Sequence, residues 1–171
     1  MVGASGTGGV IPGPGSEDSD SALLTVSANG TWLTTADGRV VVLHGANEVY
    51  KVDSFDPADS GFDADDAAFL AANGFNVVRL GIIWAAVEPQ PGVFDADYLA
   101  SIARTVQTLS DHGIYTVLDM HQDNWGTTFG GEGAPEWATQ TGGLPNNDFG
   151  FPWSYFLNPA EGHAWDSFWA N

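Results

Sequence analysis

Cysteine is absent from the 171 residues, which excludes disulfides, thiolate metal sites and cysteine nucleophiles. Positive charge is scarce as well: four Lys plus Arg face 22 Asp plus Glu, a formal net charge of −18. Such a surface repels phosphate backbones and has no basic patch for anionic lipid, so no nucleic-acid partner is expected. A neutral ligand or a cation fits it better. The acidity also suits solubility in an extracellular or salty setting. No apolar run nears the ~18 residues of a membrane helix, so no membrane span is expected. The N-terminal Met1-Val2-Gly3-Ala4-Ser5-Gly6-Thr7-Gly8-Gly9 lacks the basic and apolar regions of a signal peptide. An extracellular or secreted location is the expectation, with no export signal in the chain as written.

What is present suffices for one core, since 43% of the residues are hydrophobic and 12% aromatic. The chain is organised around Ile114-Tyr115-Thr116-Val117-Leu118-Asp119-Met120-His121-Gln122-Asp123. This run opens β-branched and apolar and closes in carboxylates, an imidazole and an amide. A parallel α/β sheet or barrel gathers polar groups in this way at the C-terminal ends of its strands. Period-two alternation puts Val117, Asp119 and His121 on one face, followed by Asp123. Thr116, Leu118 and Met120 fall on the other, which is apolar enough to lie under helices.

Residues 1–21 are rich in Gly, Ser, Pro and Asp and read as a flexible leader, with residues 22–171 as the folded portion. Thr31–Thr35 and Arg39–Leu43 flank Ala36-Asp37-Gly38, a strong hairpin signal. The second arm runs on into His44-Gly45-Ala46-Asn47-Glu48. Asn29-Gly30-Thr31 matches a glycosylation acceptor, a pattern short enough to arise by chance. A helix starts at the acidic Asp63–Asp66 and stops at Asn73-Gly74. Phe75–Trp84 reads as a buried parallel strand. A second helix starts at Asp95 or Asp97, carries an apolar stripe of Leu99, Ile102, Ala103, Val106 and Leu109, and ends at His112-Gly113. The joint Asn73–Val78 repeats as His112–Val117. The order is therefore β-α-β-α-β in a parallel sheet with right-handed crossovers. No Gly-x-Gly-x-x-Gly or Walker pattern follows a strand, which removes the main support for a nucleotide fold. Residues 124–159 form a long Gly-, Pro- and aromatic-rich connection of a kind that is usually functional. Its aromatics are either core for an elaborate loop or platforms on which sugar rings stack. Ala164–Asn171 reads as the start of a third helix.

Taken together, these residues resemble the cellulase-like glycoside hydrolase family 5 of clan A, and within it the endoglycoceramidase-type branch. The first strand carries the likeness in Asp37–Asn47, the second in Val77–Trp84 through Val87–Gly92. Leu118-Asp119-Met120-His121-Gln122-Asp123 and Gly133-Ala134-Pro135-Glu136-Trp137-Ala138 are the most specific. The resemblance implies an α/β fold, the N-terminal part of a (β/α)8 TIM barrel preceded by a β-hairpin. It implies a retaining glycoside hydrolase acting on a carbohydrate or glycolipid, without cofactor or metal. Arg79 would brace the nucleophilic carboxylate. His121 and Asp123 would hold hydroxyls of the sugar beside the scissile bond, with Lys51 and Trp153 as further sugar contacts. The family's acid/base glutamate follows the fourth strand and its nucleophile the seventh. Neither segment is in this chain, so no catalytic glutamate is assigned and the chain alone is expected to be inactive. A barrel of this kind takes ~250 residues.

Two other readings stay open. Asp119-x-His121-x-Asp123 can converge on a divalent ion, which would make the protein a metal-dependent hydrolase. Against this, the remaining histidines (His44, His112 and His163) form no second pair. The aromatics and the missing glutamates also suit a non-catalytic carbohydrate-binding remnant. Glu48, Glu88, Glu132 and Glu136 read as loop or surface residues.

Overall fold

The structure, a computed structural model, describes residues 24–28 and 30–170. The expected leader at 1–21 and Asn29 of the glycosylation pattern lie outside the described residues. Two short strands, β1 (Thr25–Val26) and β2 (Leu33–Thr34), pair antiparallel. The Asp-Gly hairpin follows, with Gly38 at φ 85° and Thr35 N–H donating to the Arg39 carbonyl at 2.9 Å. Its second arm is shorter than expected and bridges only at Val40 opposite Thr34. Beyond that point the Asn76 side chain stands in for a ladder, accepting from His44 N–H at 2.8 Å and donating to the Val42 carbonyl at 3.0 Å. A strand proper resumes only as β3 (Gly45–Glu48).

The second sheet is parallel, with β4 (Val77–Ile83) between β3 and β5 (Tyr115–His121). Its register sets Asn47 beside Arg79 and Val117, and Gly81 beside Asp119. Helix α1 (Ala64–Ala72) joins β3 to β4 and opens on a capping box of Asp63 and Asp66. The single turn α2 (Trp84–Val87) follows β4, and α3 (Ala96–Asp111) leads into β5. Asp95 caps α3 by accepting from Asp97 and Tyr98 N–H. Ala67, Val78, Leu80, Tyr98, Ile102, Leu109 and Ile114 form the core between sheet and helices. Each fully buried aliphatic there is worth about 1.5–3 kcal/mol over an exposed one.

The stripe expected on α3 is displaced. Tyr98, Ser101, Ile102, Thr105 and Leu109 are buried, while Leu99 and Ala103 are exposed. Two of the polar members enter with partners: Tyr98 Oη accepts from Ile83 N–H at 3.2 Å and donates to the Phe55 carbonyl at 3.1 Å, and Thr105 donates to the Ser101 carbonyl. The Leu118 and Met120 face of β5 also departs from expectation. Both side chains are more than half exposed, because the last helix packs beyond the end of the strand rather than along it.

That helix, α5 (Pro159–Trp169), begins earlier than Ala164, capped by Asn158 with Pro159 at its first position. The four-residue turn α4 (Ser154–Leu157) precedes it. Ala160 and Ala164 seat α5 on Trp125, Phe129 and Ala134, and Trp125 meets Trp165 edge to face at 4.8 Å. The loop aromatics thus divide: Trp125 and Phe129 are core, whereas Trp137, Phe149, Phe151, Trp153 and Phe156 are exposed. Among the described residues no helix is long and apolar enough to cross a membrane.

Glu161, in the first turn of α5, is fully buried, and neither carboxylate oxygen has a hydrogen-bond partner. Burial pushes its pKa up from the ordinary 4.5, opposed only by the Trp165 side chain. A carboxyl whose pKa is raised by folding supports the fold below its unfolded value and loses that contribution as pH rises through the folded value. Stability should therefore decline from about pH 4.5 upward on this account. Glu161→Gln should flatten that decline. Urea unfolding at pH 4, 5.5 and 7 checks this, and parallel pH profiles for the two proteins would refute it.

Candidate active site

The working face lies at the C-terminal ends of β3, β4 and β5. Alternation turns Arg79 of β4 and Asp119 of β5 to the same side, opposite the core-facing Val78 and Leu80, and the two side chains form an ion pair. Arg79 also donates to Asn47 Oδ1 of β3 at 3.1 Å, so one guanidinium crosses all three strands. Gly81, next to this pair, makes room for Val49, for a Cβ there would lie 2.7 Å from the Val49 side chain. The pair is partly open to water, with the two side chains 41% and 23% exposed.

One step along β5, His121 Nδ1 lies 3.1 Å from the same Asp119 oxygen. With Asp119 ionised against Arg79, Nδ1 carries the proton and Nε2 faces outward along the strand. There Nε2 is 3.8 Å from Asp123 Oδ2 and 3.6 Å from Glu132 Oε1, with no hydrogen-bond partner of its own. Lys51, from the loop after β3, pairs with Asp123 and lies 3.3 Å from Glu132 Oε1.

The backbone explains how Glu132, eleven residues beyond His121 in the chain, comes to this point. Asn124 and Trp125 both take left-handed conformations, φ 46° and 64°. Each such non-glycine residue costs of order 1–3 kcal/mol and persists only where its surroundings fix it. Here Tyr155 Oη accepts from Asn124 N–H at 2.8 Å, and Gln122 Oε1 accepts from Trp125 N–H at 2.9 Å. The chain doubles back until Asp123 N–H donates to the Glu132 carbonyl at 2.7 Å. Gly131 permits the approach, since a Cβ there would stand 1.8 Å from the Asp123 carbonyl oxygen.

The charges shape one another. Lys51 is held protonated beyond the ordinary lysine range, chiefly by its bond to Asp123 and with help from Glu132. Burial pushes Asp123 up, but the Lys51 ammonium outweighs it and the carboxyl titrates below the ordinary range. For Glu132 burial dominates and the carboxyl titrates above it.

Of the residues expected at the site, Arg79, His121, Asp123 and Lys51 form one connected cluster. Trp153, 61% exposed just before α4, makes no hydrogen bond or ring contact to the cluster among the described residues. Glu132, expected as a loop or surface residue, does lie in a loop but is 6% exposed and sits inside the cluster. Its only sequence signal was its place between two glycines two residues before Ala134-Pro135-Glu136-Trp137. Glu48 and Glu88 do act locally, accepting from Ser60 and from Trp84 and Gly92. The potential metal set differs from Asp119, His121 and Asp123. Asp119 lies on the opposite side of the imidazole, and His121, Asp123 and Glu132 are the three whose donor atoms lie within 4.8 Å of one another. An ion there would compete with Lys51 for both carboxylates. A pocket of about 260 Å³ adjoins His121, lined by Trp84, Met120, Trp125, Trp165 and Phe168.

The family model for Cellulase (glycosyl hydrolase family 5) matches residues 36–148. Endoglycoceramidase I of Rhodococcus hoagii (strain 103S) is 39% identical over 87% of this chain and 30% of its own length. The endoglycoceramidase of Cyanea nozakii is 33% identical over 89% of this chain and 33% of its own length. Among solved structures, an endogalactoceramidase superposes with a TM-score of 0.71 at 39% identity, over 86% of this chain and 36% of that one. Endo-glycoceramidase II from Rhodococcus sp. in its ganglioside GM3 complex gives 0.71 at 34% identity, over 81% and 34%. The chain spans about a third of the length of the curated relatives it matches. The open parallel sheet matches part of these barrels. The chain belongs to the cellulase family, glycosyl hydrolase family 5.

Proposed function

We propose that this chain supplies part of the sugar-binding face of a retaining glycosidase that acts on a glycolipid of endoglycoceramidase type, or else on a β-glucan. The observation that carries the reading is the convergence of Lys51, Asp123, His121, Asp119 and Arg79 at the C-terminal ends of three parallel strands, where such folds place their chemistry. Lys51 donates and Asp123 accepts, which suits a vicinal pair of sugar hydroxyls and needs no charge on the ligand. Asp119 fixes the His121 ring, and Arg79 holds Asp119 while presenting positive charge where a nucleophilic carboxylate would be braced. Trp153 supports the reading only if its loop swings toward the cluster when sugar binds. Relatives named for ceramide glycosides direct the proposal toward glycolipids, and the acidic composition toward an extracellular setting.

In a polypeptide carrying this segment within a complete barrel, His121→Ala should lower kcat/KM on glycosides about 10–100-fold, the worth of one or two polar contacts to a bound hydroxyl. The melting temperature should stay within a few degrees. Unchanged kinetics would remove His121 from the site.

A further inference from the structure

Glu132 belongs to none of the roles just described, yet it touches two of their residues. Its side chain is 8% exposed, against 47% for Lys51 and 24% for Asp123. Its backbone is pinned to Asp123 by the 2.7 Å hydrogen bond, and glycines on either side let it press close. Gly133 has φ 143°, and a Cβ on it would stand 2.5 Å from the Trp125 carbonyl oxygen. The loop itself therefore fixes the backbone that carries the carboxylate. Lys51 is the opposite case, an ammonium on a four-carbon stem that loses about 2 kcal/mol of rotamer freedom when held. A single contact to the half-open Asp123 leaves that stem free to pivot.

We propose that Glu132 is a positioning residue of the sugar site, acting through Lys51: its buried carboxylate and Asp123 together clamp the ammonium at the strand ends. Every charged group facing Lys51 fits this role. Asp123 comes from the end of β5, Glu132 from the returning loop, and His121 lies behind both at 3.6–3.8 Å. Glu132 in turn depends on Lys51, because a buried carboxylate without a partner is strongly disfavoured. The assignment of a sugar to this site rests on the proposed function; the clamp itself does not.

The chain contains a single lysine, so [13C]lysine labelling yields one Cε resonance, and its pH titration reads the Lys51 ammonium alone. The full chain is compared with Glu132→Gln, Glu132→Asp and Asp123→Asn, with thermal unfolding run on each. The clamp predicts a titration midpoint lower in Glu132→Gln than in the parent and intermediate in Glu132→Asp, which keeps the charge on a shorter arm. If Glu132→Gln does not fold, Glu132→Asp carries the test. A midpoint unmoved by either variant, with Asp123→Asn alone lowering it, would overturn the proposal and leave Glu132 as a loop anchor. Titrating lactose into the same labelled chain tests the sugar separately. A saturable shift of the Cε resonance that weakens at least fivefold in Glu132→Gln supports both readings. Sensitivity to Glu132→Gln with no response to lactose would keep the clamp and overturn its attachment to a sugar site.

Discussion

Residues 1–171 on their own should leave an aryl β-glycoside and a glycosphingolipid intact, whereas a polypeptide continued through eight strands should hydrolyse at least one of them. Retaining hydrolysis needs one carboxylic acid to protonate the leaving oxygen and a second carboxylate about 5–5.5 Å away to attack the anomeric carbon. Each carboxylate on the described working face is already committed. Asp119 is held by Arg79 and His121, Asp123 by Lys51, and Glu132 is buried behind the same ammonium. The one described carboxyl of this face whose pKa is raised, Glu132, is buried away from a leaving group in solvent. General acid–base assistance alone is worth about 10²–10⁴-fold, so the short chain should lie several orders of magnitude below the long one. Turnover by residues 1–171 that survives repurification would show that the catalytic carboxylates have been misplaced. An inactive eight-strand protein would remove the glycosidase reading.

The second large effect concerns the fold. Leu80→Ala should destabilise the chain by about 3 kcal/mol, within the 2–5 kcal/mol range for leucine truncation in packed cores. Leu80 is fully buried at the middle of the central strand, amid Ala67, Val78, Ile102 and Leu109, and that site has little room to collapse. Leu118→Ala is the contrast. Its residue sits beside Leu80 in the ladder but is 54% exposed, and should cost less than about 0.5 kcal/mol. Urea unfolding of the two variants checks the pair. Equal losses would mean that the outer face of β5 is covered in solution.

The repeated joint at Asn73-Gly74 and His112-Gly113 made the parallel order legible, because helix stop, glycine and β-branched run are all local signals. Asp119 and His121 were legible for the same reason, since period-two alternation needs no tertiary information. Glu132 was not. What places it is a pair of left-handed residues at Asn124 and Trp125; Asn tolerates positive φ better than most residues, but nothing announces it in the Trp that follows. Tyr155, some thirty residues on, and Gln122 hold that turn, and the Trp125 ring is locked in the second core. The stripe of α3 was misjudged because apolarity was the criterion, while the helix seats Tyr98 and Thr105 through hydrogen bonds that a hydropathy pattern does not register. Leu118 and Met120 show the converse: an apolar face is a capacity for burial, and here the neighbouring helix goes elsewhere.

The placement of the few cations has a consequence for how ionic strength acts on the molecule. Lys51 and Arg79 both point into the working face, Arg39 is held by Asp37 two residues away, and Arg104 stands exposed on α3. The exterior is left as a field of like charge with almost no internal relief. Dissolved salt should then work unequally. Counter-ions gather over the open acidic envelope and relax its self-repulsion, so the fold tightens as salt rises. The partly buried clusters around Lys51 and Asp119 feel less of that screening. Brine would leave the recognition surface nearly untouched while steadying the body that carries it.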